Sequence, residues 1–341
     1  MHDDAHDTSD PVRLVENPLV TVLMITYNHA GYLAEAIEGV VGQECDFPFE
    51  LIIGEDASTD ATREIAFEYQ RRYPEIIRVV HSARNVGMNA NSFRIFSKAR
   101  GEYVAYCEGD DFWCARDKLA RQVALMKRDK RIGIVHTDWT RASLRGGLWK
   151  YDIHKSVHRG VSDRYLSGHL FGTWYYPKIL RTCTILLRRQ TMAEWYESGL
   201  MDSKYPFGDS VLSAWVTSRW DVGYIAEVTA VYRASANSAL RSGARARVRL
   251  YTSALQFDTS ARAFFAERGD YPSGYRWESA AGLLLWGGRA RDLRAIKHAL
   301  LDFAGHFTLA SFAATGLRSI AMRLPRIKRH PGRGLSGTTG T

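Results

Sequence analysis

The chain opens with continuous apolar runs that alternate with segments of helical periodicity. Leu19–Thr26 is an unbroken β-rich run, as expected of a strand that is buried on both faces. Similar runs cover Phe49–Gly54, Ile76–His81 and Tyr103–Cys107. Between them, apolar residues recur at helical spacing. The first such helix passes through Tyr32, Leu33, Ala36, Ile37 and Val40, with Asn28 as its predicted N-cap.

This alternation of strands and helices at short spacing predicts an α/β fold. Its core is a mostly parallel sheet with helices on both faces. Further strands are predicted at Ile132–Thr137 and Thr182–Arg188. In such a sheet, ligands bind beyond the carboxyl ends of the strands. The residues that directly follow each strand are therefore the first candidates for a site.

We expect four segments along the chain. The acidic, polar start has no signal-peptide pattern and predicts a flexible leader. The sheet domain follows in two halves, and after it come a helical C-terminal extension and a disordered tail. The expected segments are residues 1–17 for the leader, 18–240 for the domain (halves 18–137 and 138–240), 241–330 for the extension and 331–341 for the tail.

Composition excludes several protein classes. The 341 residues include 45% hydrophobic and 24% charged residues, as in soluble globular proteins. No apolar run approaches the roughly 20 residues of a membrane span. The four cysteines show no paired spacing, which favours reduced thiols in a cytoplasmic protein. The net charge is +9, and much of the excess follows Arg241. This excess leaves open nucleic acid, an anionic membrane or a phosphorylated substrate.

Acidic and polar residues follow four predicted strands. Thr26, Tyr27 and Asn28 follow the first, Glu55 and Asp56 the second, and Arg84 and Asn85 the third. The fourth ends in Glu108, Asp110 and Asp111, within the segment GEYVAYCEGDDFW. Carboxylates on a glycine-containing turn suit a hard divalent cation, Mg²⁺ or Mn²⁺. A solvated turn with an aspartate capping the next helix is the alternative.

Glycine-rich phosphate-binding motifs are absent from the sequence. There is no G-x-G-x-x-G after the first strand and no Walker P-loop. If the site binds a pyrophosphate, a metal held by the acidic turn would have to neutralise it.

Four motifs in order give the chain a family resemblance. TVLMITYNHAGYL, IIGEDASTDAT, NVGMN and GEYVAYCEGDDFW resemble the family-2 glycosyltransferases, which have the A-type nucleotide-sugar fold. The resemblance covers residues 18–136 and continues more weakly to about residue 238. It implies that residues 18–137 bind the nucleotide-sugar and that residues 138–240 bind the acceptor.

The resemblance assigns the donor contacts by position. Thr26, Tyr27 and Asn28 match the first nucleotide-contacting turn, and Asp56 matches the aspartate that binds the base. Asn85 and Asn91 match the loop over the ribose and phosphates.

The metal ligands follow from the same resemblance. Glu108-Gly109-Asp110 stands at the family's Asp-x-Asp motif, so Asp110 is the expected main ligand of Mg²⁺ or Mn²⁺. Glu108 replaces the first aspartate and is expected to reach the ribose or the metal. Asp111 is expected to be structural.

The expected catalytic base is Asp209, which precedes a predicted helix; plain N-capping is the alternative. The family pattern Tyr-Arg-x-His places Ser235 where a histidine is usual, so Arg233 is expected to carry more of the pyrophosphate charge. Acceptor contacts are expected between residues 138 and 181. The candidates there are Trp139, Trp149, His154, His158, His169, Trp174, Tyr175 and Tyr176.

The expected function is inverting sugar transfer from a nucleoside diphosphate-sugar, with UDP as the expected nucleotide, to a saccharide or lipid-linked acceptor. Synthesis of cell-surface polysaccharide or glycolipid is the default. The enzyme is expected in the cytoplasm, with contact to the inner membrane face through its basic C-terminus. Two alternatives remain: a nucleotidyltransferase that makes the nucleotide-sugar, and a non-catalytic membrane- or nucleic-acid-binding protein. Nucleic acid is not expected because no reading helix is recognisable.

Overall fold

A computed structural model of the protein describes residues 5–176, 180–201, 205–233 and 243–323. The strands within these residues are β1 (His6–Asp7), β2 (Val20–Thr26), β3 (Phe49–Glu55), β4 (Ile77–His81), β5 (Tyr103–Tyr106), β6 (Phe112–Trp113), β7 (Ile132–Arg145), β8 (Leu148–Lys150), β9 (Ile185–Arg188) and β10 (Asp221–Arg233). The α-helices are α1 (Leu33–Val41), α2 (Thr62–Arg72), α3 (Met88–Phe96), α4 (Lys118–Arg128), α5 (Arg189–Glu197), α6 (Gly208–Thr217), α7 (Ala244–Phe264), α8 (Gly274–Ala290), α9 (Leu293–His306) and α10 (Leu309–Arg323).

The strands form one mixed sheet in the order β1-β4-β3-β2-β5-β9-β7-β10-β6, with β8 paired to β7. Strands β4, β3, β2 and β5 are parallel, as predicted. Strand β9 is antiparallel to both β5 and β7, so β7 runs in the same direction as β5. Strand β10 continues parallel to β7. The predicted α/β class with a mostly parallel sheet is therefore confirmed.

Alternate residues of each strand enter two hydrophobic cores. Val22 and Met24 of β2 pack with α1, α2 and α4 on one face. Leu23 between them faces α3, α5, α6 and α7 on the other. This alternation follows from the two-residue period of a strand. Each such fully buried aliphatic side chain contributes about 1.5–3 kcal/mol, which explains why the strands are continuously apolar.

The N-terminal segment, predicted to be a flexible leader, contributes a short strand to the edge of the sheet. Strand β1 pairs antiparallel with β4, with His6 opposite His81. Asp7 lies 2.7 Å from the guanidinium of Arg78. The polar composition of this segment reflects its position on an edge strand.

Helix α1 begins later than predicted, and Asn28 does not cap it. The N-cap residue is Tyr32, which makes no side-chain capping bond. Asn28 instead takes a left-handed backbone conformation (φ 57°). Its Oδ1 accepts a hydrogen bond from the backbone N–H of Thr59 at 2.8 Å. Asn28 therefore joins the loops after β2 and β3.

The predicted helical C-terminal region is present and packs on the sheet domain. Ala254, Phe257 and Ala261 of α7 belong to the same core as α6. Helices α7, α8 and α9 share a smaller core of their own. No helix in the described part of the chain has the length and apolar character needed to cross a membrane. The tail at 331–341 and the basic residues Arg326, Lys328 and Arg329 lie outside the described residues.

Candidate functional site

The acidic turn after β5 is fixed against β2. The backbone N–H groups of Cys107 and Gly109 donate to the carbonyls of Leu23 and Ile25, at 3.1 and 3.0 Å. A Cβ atom on residue 109 would lie 2.7 Å from Oγ1 of Thr26. Glycine is therefore required at this position for the turn to approach the end of β2.

Burial changes the acidity of the turn. Burial raises the pKa of Glu108 to about 7; a hydrogen bond with Thr182 opposes this rise, and the nearby charge of Asp110 adds to it. Burial also raises the pKa of Asp111, and the charges of Asp110 and Glu108 add to it. The negative charge of the ionised carboxylates in this turn is thus not balanced by nearby positive charge. Such an imbalance is typical of sites that bind cations.

Arg233 holds the acidic turn from β10. Its backbone N–H donates to Oδ1 of Asp111 at 2.9 Å. Its guanidinium donates to the carbonyl of Asp110 at 2.9 Å and to the carboxylate of Glu35. Arg233 is 4% exposed. These hydrogen bonds position the turn, and the expected contact of Arg233 with a pyrophosphate stays a prediction.

The turn offers ligands suited to a metal. One ligand atom each from Glu108, Asp111 and Cys183 lie within 4.8 Å of one another. Oε2 of Glu108 is buried without a hydrogen-bond partner. Oδ1 of Asp111 already accepts from Arg233, which agrees with a structural role for Asp111. Carboxylate oxygens at this turn fit Mg²⁺ or Mn²⁺. The pairing of Glu108 with Asp110 as ligands stays a prediction, as does the metal.

The residues after β2 form one edge of the site. Thr26 is 2% exposed, and its buried Oγ1 has no hydrogen-bond partner. Tyr27 is 43% exposed. The next residue, Asn28, donates a hydrogen bond from its backbone N–H to Oγ of Ser58 at 3.0 Å. The structure therefore brings Thr26 next to the acidic turn and leaves the ring of Tyr27 accessible.

Asp56 organises the loop after β4. Its Oδ1 and Oδ2 accept from the backbone N–H groups of Val86 and Gly87, both at 2.9 Å. The Gly87 N–H also donates to Oδ1 of Asn85 at 3.0 Å. Adjacent strand ends thus bring Asp56 and Asn85 together, as the sequence predicted for a shared rim.

Asn91 is not brought to the rim, which corrects its prediction as a donor contact. It is 1% exposed on the inner face of α3. Its Nδ2 donates to the carbonyl of Gly54, and its Oδ1 accepts from Arg94, both at 2.7 Å. Its polar atoms are committed inside the fold.

A cavity of about 710 Å³ lies beside the acidic turn, and both Glu108 and Asp209 line it. Asp209 belongs to the first turn of α6, whose N-cap residue is Phe207. Its Oδ1 accepts from the backbone N–H of Ser210 at 2.7 Å. Asp209 is therefore not the N-cap of α6. Its carboxylate lies at the helix N-terminus, where negative charge is favoured.

Several lining residues were not predicted. Helices α7 and α8 form one wall of the cavity, and Arg181 and Thr182 lie beside Glu108. These residues lie outside the four motifs, and only the aromatic residues within otherwise amphipathic helices could have indicated the wall. The wall residues are Leu250, Tyr251, Ala254, Tyr275, Glu278 and Ser279.

The segment expected to bind the acceptor has mixed outcomes. Trp174 and Tyr175 line the cavity. Trp139 is buried against Arg181, and the ring of Trp149 lies 6.0 Å from that of Tyr32. His158 is buried, with Nδ1 3.3 Å from Oδ1 of Asp138. The side chains of His154 and His169 are exposed, and Tyr176 packs on Tyr165.

The fold is that of the A-type glycosyltransferases. Residues 21–190 match the family described as "Glycosyl transferase family 2". The chain therefore belongs to glycosyltransferase family 2.

Relatives match about a third of the chain. Over 109 residues it is 45% identical to the uncharacterized protein Rv1520 of Mycobacterium tuberculosis, covering 32% of each chain. Over another 109-residue alignment it is 36% identical to the putative teichuronic acid biosynthesis glycosyltransferase TuaG of Bacillus subtilis, covering 32% of this chain and 42% of TuaG. The chain thus spans a third to less than half of these relatives' lengths.

Solved structures share the fold. One is the mannosyltransferase PcManGT of Pyrobaculum calidifontis with GDP-Man and Mn²⁺, with a TM-score of 0.54 and 19% identity over 90% of this chain and 81% of that one. Another is S. aureus TarS 1-349 with UDP-GlcNAc, with a TM-score of 0.52 and 14% identity over 85% of this chain and 93% of that one. These neighbours show the A-type architecture, including its extent into the C-terminal helices.

Proposed function

We propose that the protein transfers a sugar from a nucleoside diphosphate-sugar to an acceptor hydroxyl with inversion at the anomeric carbon. One observation carries this proposal: Glu108 of the acidic turn and Asp209 of α6 line the same cavity. A group that binds the leaving diphosphate and a base for the acceptor must both reach one reacting carbon. Their presence in one cavity meets that requirement.

Asp209 is the proposed general base. It would accept the proton of the acceptor hydroxyl while that oxygen attacks the anomeric carbon from the face opposite the diphosphate. Direct displacement needs one base and no covalent sugar-enzyme intermediate. The cavity walls would exclude water, which would otherwise compete as the acceptor.

Asp110 and Glu108 are the proposed ligands of Mg²⁺ or Mn²⁺. Such a cation, when bound, stabilises negative charge on a departing diphosphate. Arg233 would keep the turn in place through its bonds to Asp111 and to the carbonyl of Asp110. The raised pKa values of Glu108 and Asp111 support this assignment, because they show that negative charge in the turn lacks a balancing cation.

The proposed nucleoside contacts are Thr26, Tyr27, Asn28, Asp56 and Asn85. Their support is their position on the strand ends next to the acidic turn. Uridine is the proposed base. The two structural neighbours were solved with different nucleotides, GDP-Man and UDP-GlcNAc, so a test must include both bases.

The proposed acceptor is a saccharide or a lipid-linked saccharide, in synthesis of cell-surface polysaccharide or glycolipid. Aromatic rings at Trp174, Tyr175 and Tyr251 line the cavity and suit the apolar faces of sugars. TuaG, whose name refers to teichuronic acid biosynthesis, matches 109 residues of the chain. This relative supports the polysaccharide class of product.

We place the reaction in the cytoplasm, at the inner membrane face. The sequence has no Asp or Glu after Asp302, while six Lys or Arg residues follow it. On α9, Leu293 and Leu301 are 78% and 61% exposed, and Arg294 and Lys297 are exposed near them. An apolar and basic surface of this kind suits an anionic membrane.

The decisive experiment is a thermal-stability panel of UDP, GDP and their sugar conjugates, with and without Mn²⁺. A ligand that binds the folded protein raises its unfolding temperature by mass action. We expect one nucleoside diphosphate to raise the unfolding temperature, and we expect a larger rise when Mn²⁺ is present. Incubation of that nucleotide-sugar with acceptors should then release nucleoside diphosphate. Release of pyrophosphate from a nucleoside triphosphate and a sugar phosphate would instead indicate a nucleotidyltransferase.

A further inference from the structure

Among the described residues that line the cavity, Arg181 is a cation without an ion pair. The described charged residues of the lining are Glu108, Arg181, Asp209 and Glu278, so Arg181 is the sole basic residue among them. It is 8% exposed. Neither a hydrogen bond nor a salt bridge joins its guanidinium to any described residue, and Nε is buried without a partner. A buried cation in this state is costly unless a ligand compensates it.

Aromatic rings fix the position of this guanidinium. Its Cζ lies 4.8 Å from the ring centroid of Trp139 and 4.3 Å from that of Tyr232. Rings can hold a guanidinium without using its N–H groups. The planar fork of donors therefore stays available at the cavity, next to Thr182 and Glu108.

The chemistry of this position selects an oxyanion ligand. Guanidinium groups bind phosphate oxygens through paired N–H donors. The carboxylate of Glu108 lines the same cavity, and no salt bridge joins it to Arg181. We propose that Arg181 binds the diphosphate of the donor beside the acidic turn; this inference rests on the proposed function. This is the role first expected of Arg233.

Binding measurements on three variants test the proposal. Titration calorimetry with Mn²⁺ would compare UDP, GDP, UMP and inorganic pyrophosphate on the full chain. We expect Arg181→Gln to weaken pyrophosphate and nucleoside diphosphate binding by tenfold or more, and Arg181→Lys to retain part of the affinity. Arg219→Gln is the matched control, because Arg219 also stacks on an aromatic ring, that of Trp215 at 4.6 Å, without lining the cavity.

Unchanged affinity of Arg181→Gln for all four probes, with an unchanged unfolding temperature, would overturn the proposal. If the variant unfolds, the same comparison with Arg181→Lys decides. If the wild type binds pyrophosphate through Arg181 but binds no nucleotide, the proposed function fails while the anion site remains. Geranyl phosphate is the last probe. If it binds through Arg181 and saturating UDP does not displace it, the site belongs to a phosphorylated acceptor. That result would overturn the assignment of Arg181 to the donor.

Discussion

Buried charges are arranged differently in the α7–α9 region and at the rim of the sheet. In the helices, Arg276 lies between Asp258 and Asp302, and its Nη1 is 3.0 Å from Oδ2 of Asp258. Arg262 adds a second contact to Asp258 at 2.7 Å. At the rim, three carboxylates share the turn with Arg233, and Arg181 has no ion pair with any residue that the structure describes.

This difference separates structural charge from charge that is available to a ligand. A network whose donors and acceptors satisfy one another fixes helices together and has little left to bind. A set with unmatched charge is costly in the free protein, and that cost is recovered when a complementary ion binds. The rim therefore has the electrostatics of a binding site, and the helical network has those of a support.

The largest expected effect comes from carboxylates of the rim and cavity. Asp110→Ala and Asp209→Asn should each lower sugar-transfer turnover by about 10²–10⁴-fold, through loss of charge stabilisation or of the base. Turnover with the donor found by the nucleotide panel is the measurement. Asp129→Asn is the control, because Asp129 is the C-cap residue of α4 and pairs with the exposed Arg131. Near-normal turnover in both site variants, with intact folding, would reject the assignment.

The second effect is on stability and concerns the helical network. Arg276→Met should leave Asp258 and Asp302 buried without their shared partner, at a cost of about 3–5 kcal/mol in the free energy of unfolding. Chemical denaturation measures it. Arg262→Met should cost less, since the Arg262 side chain is 34% exposed. Equal costs for the two variants would contradict the picture of a network centred on Arg276.

The same contrast explains what could be predicted from the sequence. Strands β2, β3, β4 and β5 were predictable because each lies in an apolar run, and their polar ends define the rim. Strand β6 and helix α5 were missed, since Phe112–Trp113 is too short to show a period and Arg189–Glu197 has a weak apolar stripe. Strand β7 extends to Arg145, beyond its apolar run and across the expected boundary at 137/138.

The contacts that the sequence could not predict at the site have a common physical origin. Arg233 and Asn91 stand at positions that the family resemblance makes functional, but hydrogen bonds within the folded chain decide their orientation. Arg233 is held by Asp111, 122 residues away in the sequence. Asn91 is held by Gly54 and Arg94. The role of Arg181 depends on two aromatic rings from β7 and β10, which only the folded sheet brings together.

A third test sharpens the comparison at a buried lysine beneath the rim. Lys118 is fully buried, and its Nζ donates to Oε1 of Gln122 at 2.7 Å. Burial lowers its pKa to about 7 from 10.5. The unfolded chain thus binds more protons between these values, so the lysine's contribution to stability rises with pH across that window and is smallest below about pH 7.

Lys118→Met should remove this dependence. The free energy of unfolding of Lys118→Met minus that of the wild type should fall by about 2 kcal/mol between pH 7 and pH 9, because each pKa unit corresponds to roughly 1.4 kcal/mol. Denaturation at both pH values measures it. Lys127→Met on the same helix is the control, because Lys127 is exposed and should show no such trend. A constant difference between wild type and Lys118→Met would show that Lys118 titrates normally.

The smallest expected effect concerns the outer face of α9, where unpartnered leucines and basic residues meet solvent while the inner face is packed. Leu300→Ser with Leu301→Ser removes two side chains that are 53% and 61% exposed. We expect several-fold weaker sedimentation with phosphatidylglycerol vesicles, and weak binding to phosphatidylcholine throughout. Leu144→Ser with Leu148→Ser, exposed leucines of β7 and β8, is the matched control.

High salt should weaken binding because each basic residue near the surface contributes about 1 kcal/mol through a screened attraction. Equal losses in both leucine pairs would mean that general hydrophobicity, not the outer face of α9, drives the association.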